Sequence, residues 1–238
     1  MTSLDNAVTA KYSIQGLNFE ILVDCEKAIE LKQGKDLPLD EVVVTFDVFK
    51  DVRKGEHASE HDLKRIFNTE NKSEIAKKII KDGEVQLTKE YRDKLREEKR
   101  LKIINLIHRN SINPVNNLPH PAARIQAAIE EAKVKIDEFK KAEDQVKEIV
   151  DKIRSILPIK FEIRELEIII PSKFAGKSYS TLKQYGTMLR DEWQNDGSLK
   201  AILEIPAGLQ TELFDKLNSL THGEIESKII KIKWHLNY

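Results

Sequence analysis

The chain holds a single cysteine, Cys25, in 238 residues, so no disulfide can form within it and no cysteine-based zinc finger can be built. Aromatic residues make up 6% of the sequence, too few for the stacked-base readout used by RNA-recognition motifs. No apolar run approaches the roughly 18 residues that a membrane span requires; dense stretches such as Ile168-Ile169-Ile170 are strand-sized. The opening MTSLDNAVTAKY lacks the charged and apolar regions of a secretion signal. Net charge is absent too, since 40 Lys+Arg balance 40 Asp+Glu, which excludes a strongly basic histone-like binder and an acidic solvating tail. A soluble, cytoplasmic protein of a reducing compartment, with no membrane partner, is the expected class.

What is present is unevenly distributed. Charged residues are 34% of the chain and mean hydropathy is −0.47, which favours small modules over one large core. Residues 1–91 carry 14 basic and 18 acidic side chains, residues 92–158 carry 15 and 11, and residues 159–238 carry 11 and 11. The neutral total conceals an acidic first third and a basic middle. Three domains are expected, at 1–90, 91–158 and 159–238, with linkers near Leu87–Tyr91 and Leu157–Lys160.

The first domain reads as α+β. Val8, Ala10, Tyr12 and Ile14 alternate, as do Phe19, Ile21 and Val23, predicting a hairpin. Cys25–Lys32 reads as a helix, Ser59 as the cap of a second holding Leu63, Ile66 and Phe67, Ser73–Lys81 as a third, and Gly83–Leu87 as a strand. The middle domain reads as helical: Thr88 caps a helix through His108, and Pro121 opens a long helix ended by Pro158. Its stripe of Ile125, Ile129, Ala132, Ile136, Phe139, Val146, Val150 and Ile153, interrupted only by Glu143, predicts core packing in a helical hairpin or small bundle. The last domain runs strand, helix, strand, strand, helix, strand. Phe161–Ile170 comes first, Gly176–Gln184 is the first helix, and Asn195-Asp196-Gly197 joins Thr187–Trp193 to Leu199–Ile205. A helix over 207–220 follows, and Ile230, Ile232, Trp234 and Leu236 alternate with Lys231, Lys233 and His235. This is the βαββαβ ferredoxin-like pattern.

Chemistry-bearing motifs are sparse. His57-Ala58-Ser59-Glu60-His61 matches the zinc signature of inverted metalloproteases. That chemistry needs both histidines on one helical face and a third ligand, whereas the Ser59 cap would leave His57 in the loop. Phe174-Ala175-Gly176-Lys177-Ser178 resembles the end of a phosphate loop, but Pro171 stands where the first glycine belongs. The six histidines are scattered, and Cys25 has no base near it in sequence and reads as structural. Nothing points to an enzyme or to a cofactor. The remaining signal is electrostatic. From Arg92 to Arg124 there are eight basic residues, Arg92, Lys94, Arg96, Lys99, Arg100, Lys102, Arg109 and Arg124, against Asp93, Glu97 and Glu98. Several recur at three- and four-residue steps, so a helix could present them to phosphates. The alternative is a solvated helix laced with Glu–Lys pairs.

A family resemblance rests on particular residues. They are Leu39-Asp40-Glu41-Val42, Val48-Phe49 with Val52, Lys54 and Gly55, then Asp62-Leu63, Phe67, Thr69 and Glu74-Ile75. Gly83-Glu84-Val85-Gln86 with Thr88 and Arg92 completes the run, and Asn113-Pro114, Pro119 and Ile125 follow in the middle domain. With these the chain resembles the Shwachman–Bodian–Diamond syndrome protein family of ribosome maturation factors over essentially its whole length. The resemblance implies an N-terminal α+β module shared with a small yeast protein, a central three-helix domain and a ferredoxin-like C-terminal domain. It implies a non-enzymatic role on the large ribosomal subunit around its peptidyl-transferase and inter-subunit surface. There, an elongation-factor-like GTPase partner helps evict the anti-association initiation factor, initiation factor six, which is an indirect partner. Archaeal relatives of similar length are linked to the RNA-degrading exosome, so the alternative reading is an RNA-processing accessory of that complex. The acidic first domain must then meet rRNA through a local basic face, for which Lys11, Arg53, Lys54, Lys64 and Arg65 are the candidates. Arg92, Arg96, Lys99, Arg100, Arg109 and Arg124 are the candidates in the middle. A monomer is expected, with its domains reorienting about the two linkers.

Overall fold

The computed structural model describes residues 7–234; residues 1–6, and the His235 and Leu236 expected in the last strand, lie outside the described residues. The chain divides into two compact units, Met1–Leu95 and Arg96–Tyr238. Its buried apolar side chains fall into three clusters, one in the first unit and two in the second.

In the first unit the predicted alternation makes β1 (Ala7–Ile14) and β2 (Leu17–Asp24). They are joined by Gln15 and Gly16 at φ 51° and 77°. Two successive positive φ values give the tight turn whose twist suits antiparallel strands. Asp24 accepts the Lys27 N–H at 3.0 Å and caps α1 (Cys25–Lys32). There follow α2 (Leu39–Val42), β3 (Phe49–Asp51), β4 (Glu56–His57), α3 (Glu60–Phe67), α4 (Lys72–Asp82) and β5 (Glu84–Val85). Strand order is β4-β3-β2-β1-β5. Ala28 and Leu31 of α1 and Ile75, Ala76, Ile79 and Ile80 of α4 close the core with Phe19, Ile21 and Val23. Ser59 caps α3 as predicted, its Oγ accepting the Asp62 N–H at 3.1 Å and donating to the Asp62 carboxylate at 2.7 Å. Gly83 is required for a different reason: a Cβ there would stand 2.5 Å from the Lys11 carbonyl oxygen, so only glycine lets the chain pass that close to β1.

α5 (Lys89–Asn110) starts in the first unit, within the stretch read as a linker, and ends in the second. Thr88 Oγ1 accepts the Tyr91 N–H at 3.1 Å at its start, as predicted. In the second unit Ile103, Ile104 and Ile107 share a core with α6 (Ala122–Glu131) and α7 (Ala142–Ile153). A short β6 (Ser111–Ile112) pairs with the start of β7 (Lys160–Ile170). Then come α8 (Ser172–Tyr185), β8 (Thr187–Trp193), β9 (Leu199–Pro206), a 3-10 turn at Ala207–Leu209, α9 (Gln210–Thr221) and β10 (Glu226–Trp234). The sheet is antiparallel in the order β10-β7-β9-β8, which with α8 and α9 packed together gives the ferredoxin-like arrangement. Gly208 brings the turn before α9 against the end of α5, where a Cβ would lie 2.1 Å from the His108 carbonyl oxygen.

One expectation is overturned. The long helix after Pro121 is two helices. α6 stops with Lys133 left-handed at φ 49°, the Lys133 N–H donating to Glu130 O at 3.0 Å and the Val134 N–H to Ile129 O at 3.1 Å. This is a Schellman ending, with Val134 buried as its apolar contact. Ile125, Ile129, Val146, Val150 and Ile153 are buried, but Ile136 is only half-buried, and Phe139 is 74% exposed. A single helix would run ~55 Å, far beyond the short apolar stretch of α5; two shorter ones each lay a face on it. In β10, Ile230 and Ile232 alternate as predicted but are 42% and 51% exposed. A register shift falls between Ile229 and Lys231, and the strand forms the sheet edge, so its isoleucines stay half open to solvent between Lys228, Lys231 and Lys233.

Candidate nucleic-acid interface

Most of the predicted cations of the first unit are already engaged. Lys11 lies 3.5 Å from Glu20, Lys54 3.8 Å from Asp51, Lys64 2.7 Å from Glu70 and Arg65 3.1 Å from Asp62. The Lys64 ammonium is raised above its ordinary pKa, and the Glu70 carboxyl lowered, by their mutual hydrogen bond. Arg53 makes no ion pair among the described residues. Asp51 Oδ1 accepts the Arg53 and Lys54 N–H groups at 3.0 and 3.2 Å, and Gly55 turns left-handed at φ 67°. That turn holds both side chains out at the tip between β3 and β4.

In α5, Arg96, Arg100, Ile103 and Ile107 follow at steps of four, three and four, so they share a face. The two isoleucines are buried, and the arginines on the same face, though still partly exposed, are paired with acids of the protein. Arg96 forms a bidentate pair with Glu138, Nε to Oε2 at 2.9 Å and Nη2 to Oε1 at 3.0 Å. Arg100 reaches Glu97 at 3.7 Å and Glu130 at 3.5 Å. The predicted stripe is therefore interrupted. Arg92, Arg109 and Arg124 are exposed, Lys99 is half-buried, and none of these four makes an ion pair among the described residues. Arg109 lies in the last turn of α5 and Arg124 in the first turn of α6.

Sequence reasoning missed two polar joints of the second unit. His120 is buried; its Nε2 donates to Pro158 O at 2.8 Å, while His108 Nδ1 donates to His120 O at 2.7 Å. The scatter of histidines concealed this clasp between α5, the proline-bracketed loop and the start of β7. Glu162 and Arg164 take inward positions on β7, where Arg164 Nε donates to Glu162 Oε1 at 2.6 Å and Nη1 to Gln210 Oε1 at 2.6 Å. Strict alternation with Leu166, Ile168 and Ile170 was the signal that both would be buried.

The motifs read against enzymes resolve into architecture. His57 closes β4, rather than sitting in a loop, and its ring packs 4.6 Å from that of Phe49. His61 is the second residue of α3. Both border a cleft of about 570 Å³ with Asp47, Glu60, Lys64 and Lys72; among the described residues no group of three or more His, Cys, Asp or Glu could hold a metal ion. Phe174 to Ser178 lies inside α8, with no loop to cradle a phosphate. Cys25 is buried, with Sγ 3.7 Å from Gln86 O. No helix among the described residues is long and apolar enough to cross a membrane.

Family models account for nearly all of this chain. The Shwachman-Bodian-Diamond syndrome (SBDS) N-terminal domain matches residues 6–93, SBDS protein domain II residues 101–162 and the SBDS protein C-terminal domain residues 164–232. A protein of Methanothermobacter thermautotrophicus named ribosome maturation protein SDO1 homolog is 44% identical, over 97% of this chain and all of that one. The chain belongs to the Shwachman–Bodian–Diamond syndrome protein family. Its namesake in Aeropyrum pernix is 40% identical over 98% of this chain and all of its own. The ribosome maturation protein SBDS of Caenorhabditis elegans is 26% identical over 97% and 91%. A solved chain described as a hypothetical protein aligns over 95% of both chains at 10% identity and a TM-score of 0.27, too slight a likeness to build on. Within this family member, the residues that carried the resemblance are largely architectural. Leu39 to Val42 are α2, Phe67 packs edge-on to Phe19 at 5.0 Å, and Thr69 Oγ1 donates to Glu74 Oε2 at 2.9 Å. Lys54 alone among them, before Arg92, is an exposed cation.

Proposed function

We propose that the protein is a ribosome maturation factor that binds the rRNA of the large ribosomal subunit and makes or breaks no covalent bond itself. Its full-length likeness to proteins named ribosome maturation protein SDO1 homolog, at 44% and 40% identity, carries this reading. Arg53, Arg92, Lys99, Arg109 and Arg124 supply phosphate contacts directly. Lys54, Lys64 and Arg65 sit in exposed pairs that solvent screening keeps weak, which a phosphate can displace at small cost. Arg96 stays with Glu138, where two parallel hydrogen bonds hold it. In this reading the protein works in the cytoplasm as a monomer without a cofactor, with an elongation-factor-like GTPase as partner and release of the anti-association initiation factor as the outcome. Each phosphate neutralised releases counterions, so binding weakens steeply with salt. Co-sedimentation with purified large subunits tests this: the protein travels with them at about 50 mM salt and is largely released at about 200 mM. Unchanged binding across that range refutes a phosphate-dominated contact.

A further inference from the structure

Phe139 is 74% exposed at the tip of segment 132–141. One exposed apolar side chain needs no explanation by itself. The segment that holds this one, however, is fixed from several sides. Lys133 closes α6 in a left-handed turn, and the Arg96–Glu138 pair ties the position before Phe139 to α5. Asp137 Oδ1 accepts the Phe139 N–H at 2.8 Å. Beneath, the buried Gln145 accepts the Asp137 N–H at 2.9 Å and donates to the carbonyls of Asp137, Lys140 and Lys141 at 2.9, 3.3 and 3.3 Å. A buried glutamine spent wholly on one surface segment gives the ring a defined platform, which lowers the ordering cost of binding.

Within segment 132–141 four lysines outnumber the acids Asp137 and Glu138, and Glu143 and Asp144 follow in the first turn of α7. Lys133, Lys135, Lys140 and Lys141 are all exposed and none makes an ion pair among the described residues, unlike Lys64, Arg65, Arg96 and Arg100. The acids within the segment are used internally, Asp137 on the backbone and Glu138 on Arg96; beyond it, Glu148 on α7 feels the field of Lys140. An apolar protein pocket would have to strip water from these ammonium groups. A nucleotide whose base has left its stack offers a π-face for the ring and phosphates for the lysines together.

We propose that this segment seats an unpaired nucleotide of structured RNA, with Phe139 stacked on the base and the four lysines on the flanking phosphates. The proposal rests on the reading of the protein as an rRNA-binding factor and adds a specific anchor to it. A stacking face without directed base-edge donors accepts any base.

The test uses the full chain and purified large ribosomal subunits, comparing wild type, Phe139→Ala, Phe139→Trp and Lys140→Ala/Lys141→Ala at several salt concentrations. Circular dichroism melts of all four should coincide, because the side chains exchanged are exposed. Phe139→Ala is expected to weaken binding about 5- to 150-fold, the range of one base–aromatic stack, with the salt slope unchanged. Phe139→Trp should retain binding, and the lysine pair should flatten the slope by about 0.7 per lysine. Steeply salt-dependent wild-type binding that Phe139→Ala leaves intact overturns the anchor while the rRNA reading stands. Wild-type binding that is absent or indifferent to salt overturns both. Capture on phosphatidylserine vesicles that Phe139→Ala abolishes, with subunit binding untouched, overturns the anchor in favour of a lipid surface.

Discussion

The buried charge pair of β7 lends itself to a quantitative test. Arg164 is 7% exposed and Glu162 1%; besides the Arg164 hydrogen bond, Glu162 has the Lys160 ammonium 2.6 Å from its second oxygen. Burial pushes the Glu162 carboxyl up, but Lys160 and Arg164 outweigh it and hold the group below the ordinary carboxylate range. Arg164→Met keeps the length of the side chain and removes its charge. Breaking one side of a buried pair costs about 3–5 kcal/mol, and the surviving Lys160 puts the expected loss near the lower end, about 3 kcal/mol. For a unit of this size that is a fall in Tm of roughly 6–12 °C. Trp193 and Trp234 are the only tryptophans and both belong to the second unit, so tryptophan fluorescence reports its unfolding separately from the first. Glu162→Met/Arg164→Met should recover most of the loss, since no buried charge is then left alone. The pH dependence has a fixed sign. A carboxyl with a depressed folded pKa contributes stability above its unfolded value, about 4.3, and loses it as pH falls through the folded value. The wild-type advantage over the double variant should therefore hold from pH 6 to 8 and shrink below about pH 4. A loss under about 1 kcal/mol for Arg164→Met, or a double variant as unstable as the single, would refute the account.

Other expectations follow from neighbouring geometry. Replacing unpaired Lys99, Arg109 or Arg124 by alanine should each flatten the salt dependence of subunit binding by about 0.7–0.9, whereas the engaged Lys64 and Arg65 should do less, as measured by binding titrations. Gly208→Ala would force a Cβ against the His108 carbonyl and should cost about 1–3 kcal/mol in urea unfolding followed by tryptophan fluorescence. Gln145→Ala strands the N–H and carbonyls it serves, so the Asp137 and Phe139 amides should exchange hydrogen much faster while α7 keeps its protection.

Local signals were legible wherever one residue decides the outcome. The Ser59 and Thr88 ends of helices, the Gly16 and Gly197 turns, and the strand order of the last domain follow from side-chain chemistry acting over a few positions. The break after Ala132 was not legible, because apolar residues continue at steps of three and four straight through it. What stops the helix is a backbone turn at Lys133, a residue without glycine's usual warning. Pairing is equally invisible in a count of cations. Arg96 and Arg100 were grouped with Lys99 by spacing, yet the face they share with Ile103 and Ile107 commits them to Glu138 and Glu130, whose distance along the chain gives no hint of contact.

The outermost strand of the C-terminal sheet has a bearing on how the molecule behaves in a crowd. Three half-open isoleucines on unpaired backbone would invite a second copy to extend the sheet, yet Lys228, Lys231 and Lys233 interleave them and the kink at Ile230 spoils any straight docking register. A twin strand arriving antiparallel would have to desolvate Lys231 and disturb Lys228 and Lys233, which are held by Glu167, Glu165 and Glu204. Crowding alone should thus leave the molecules apart, and stripping those ammonium charges, as acetylation does, should be enough to start them aggregating edge to edge.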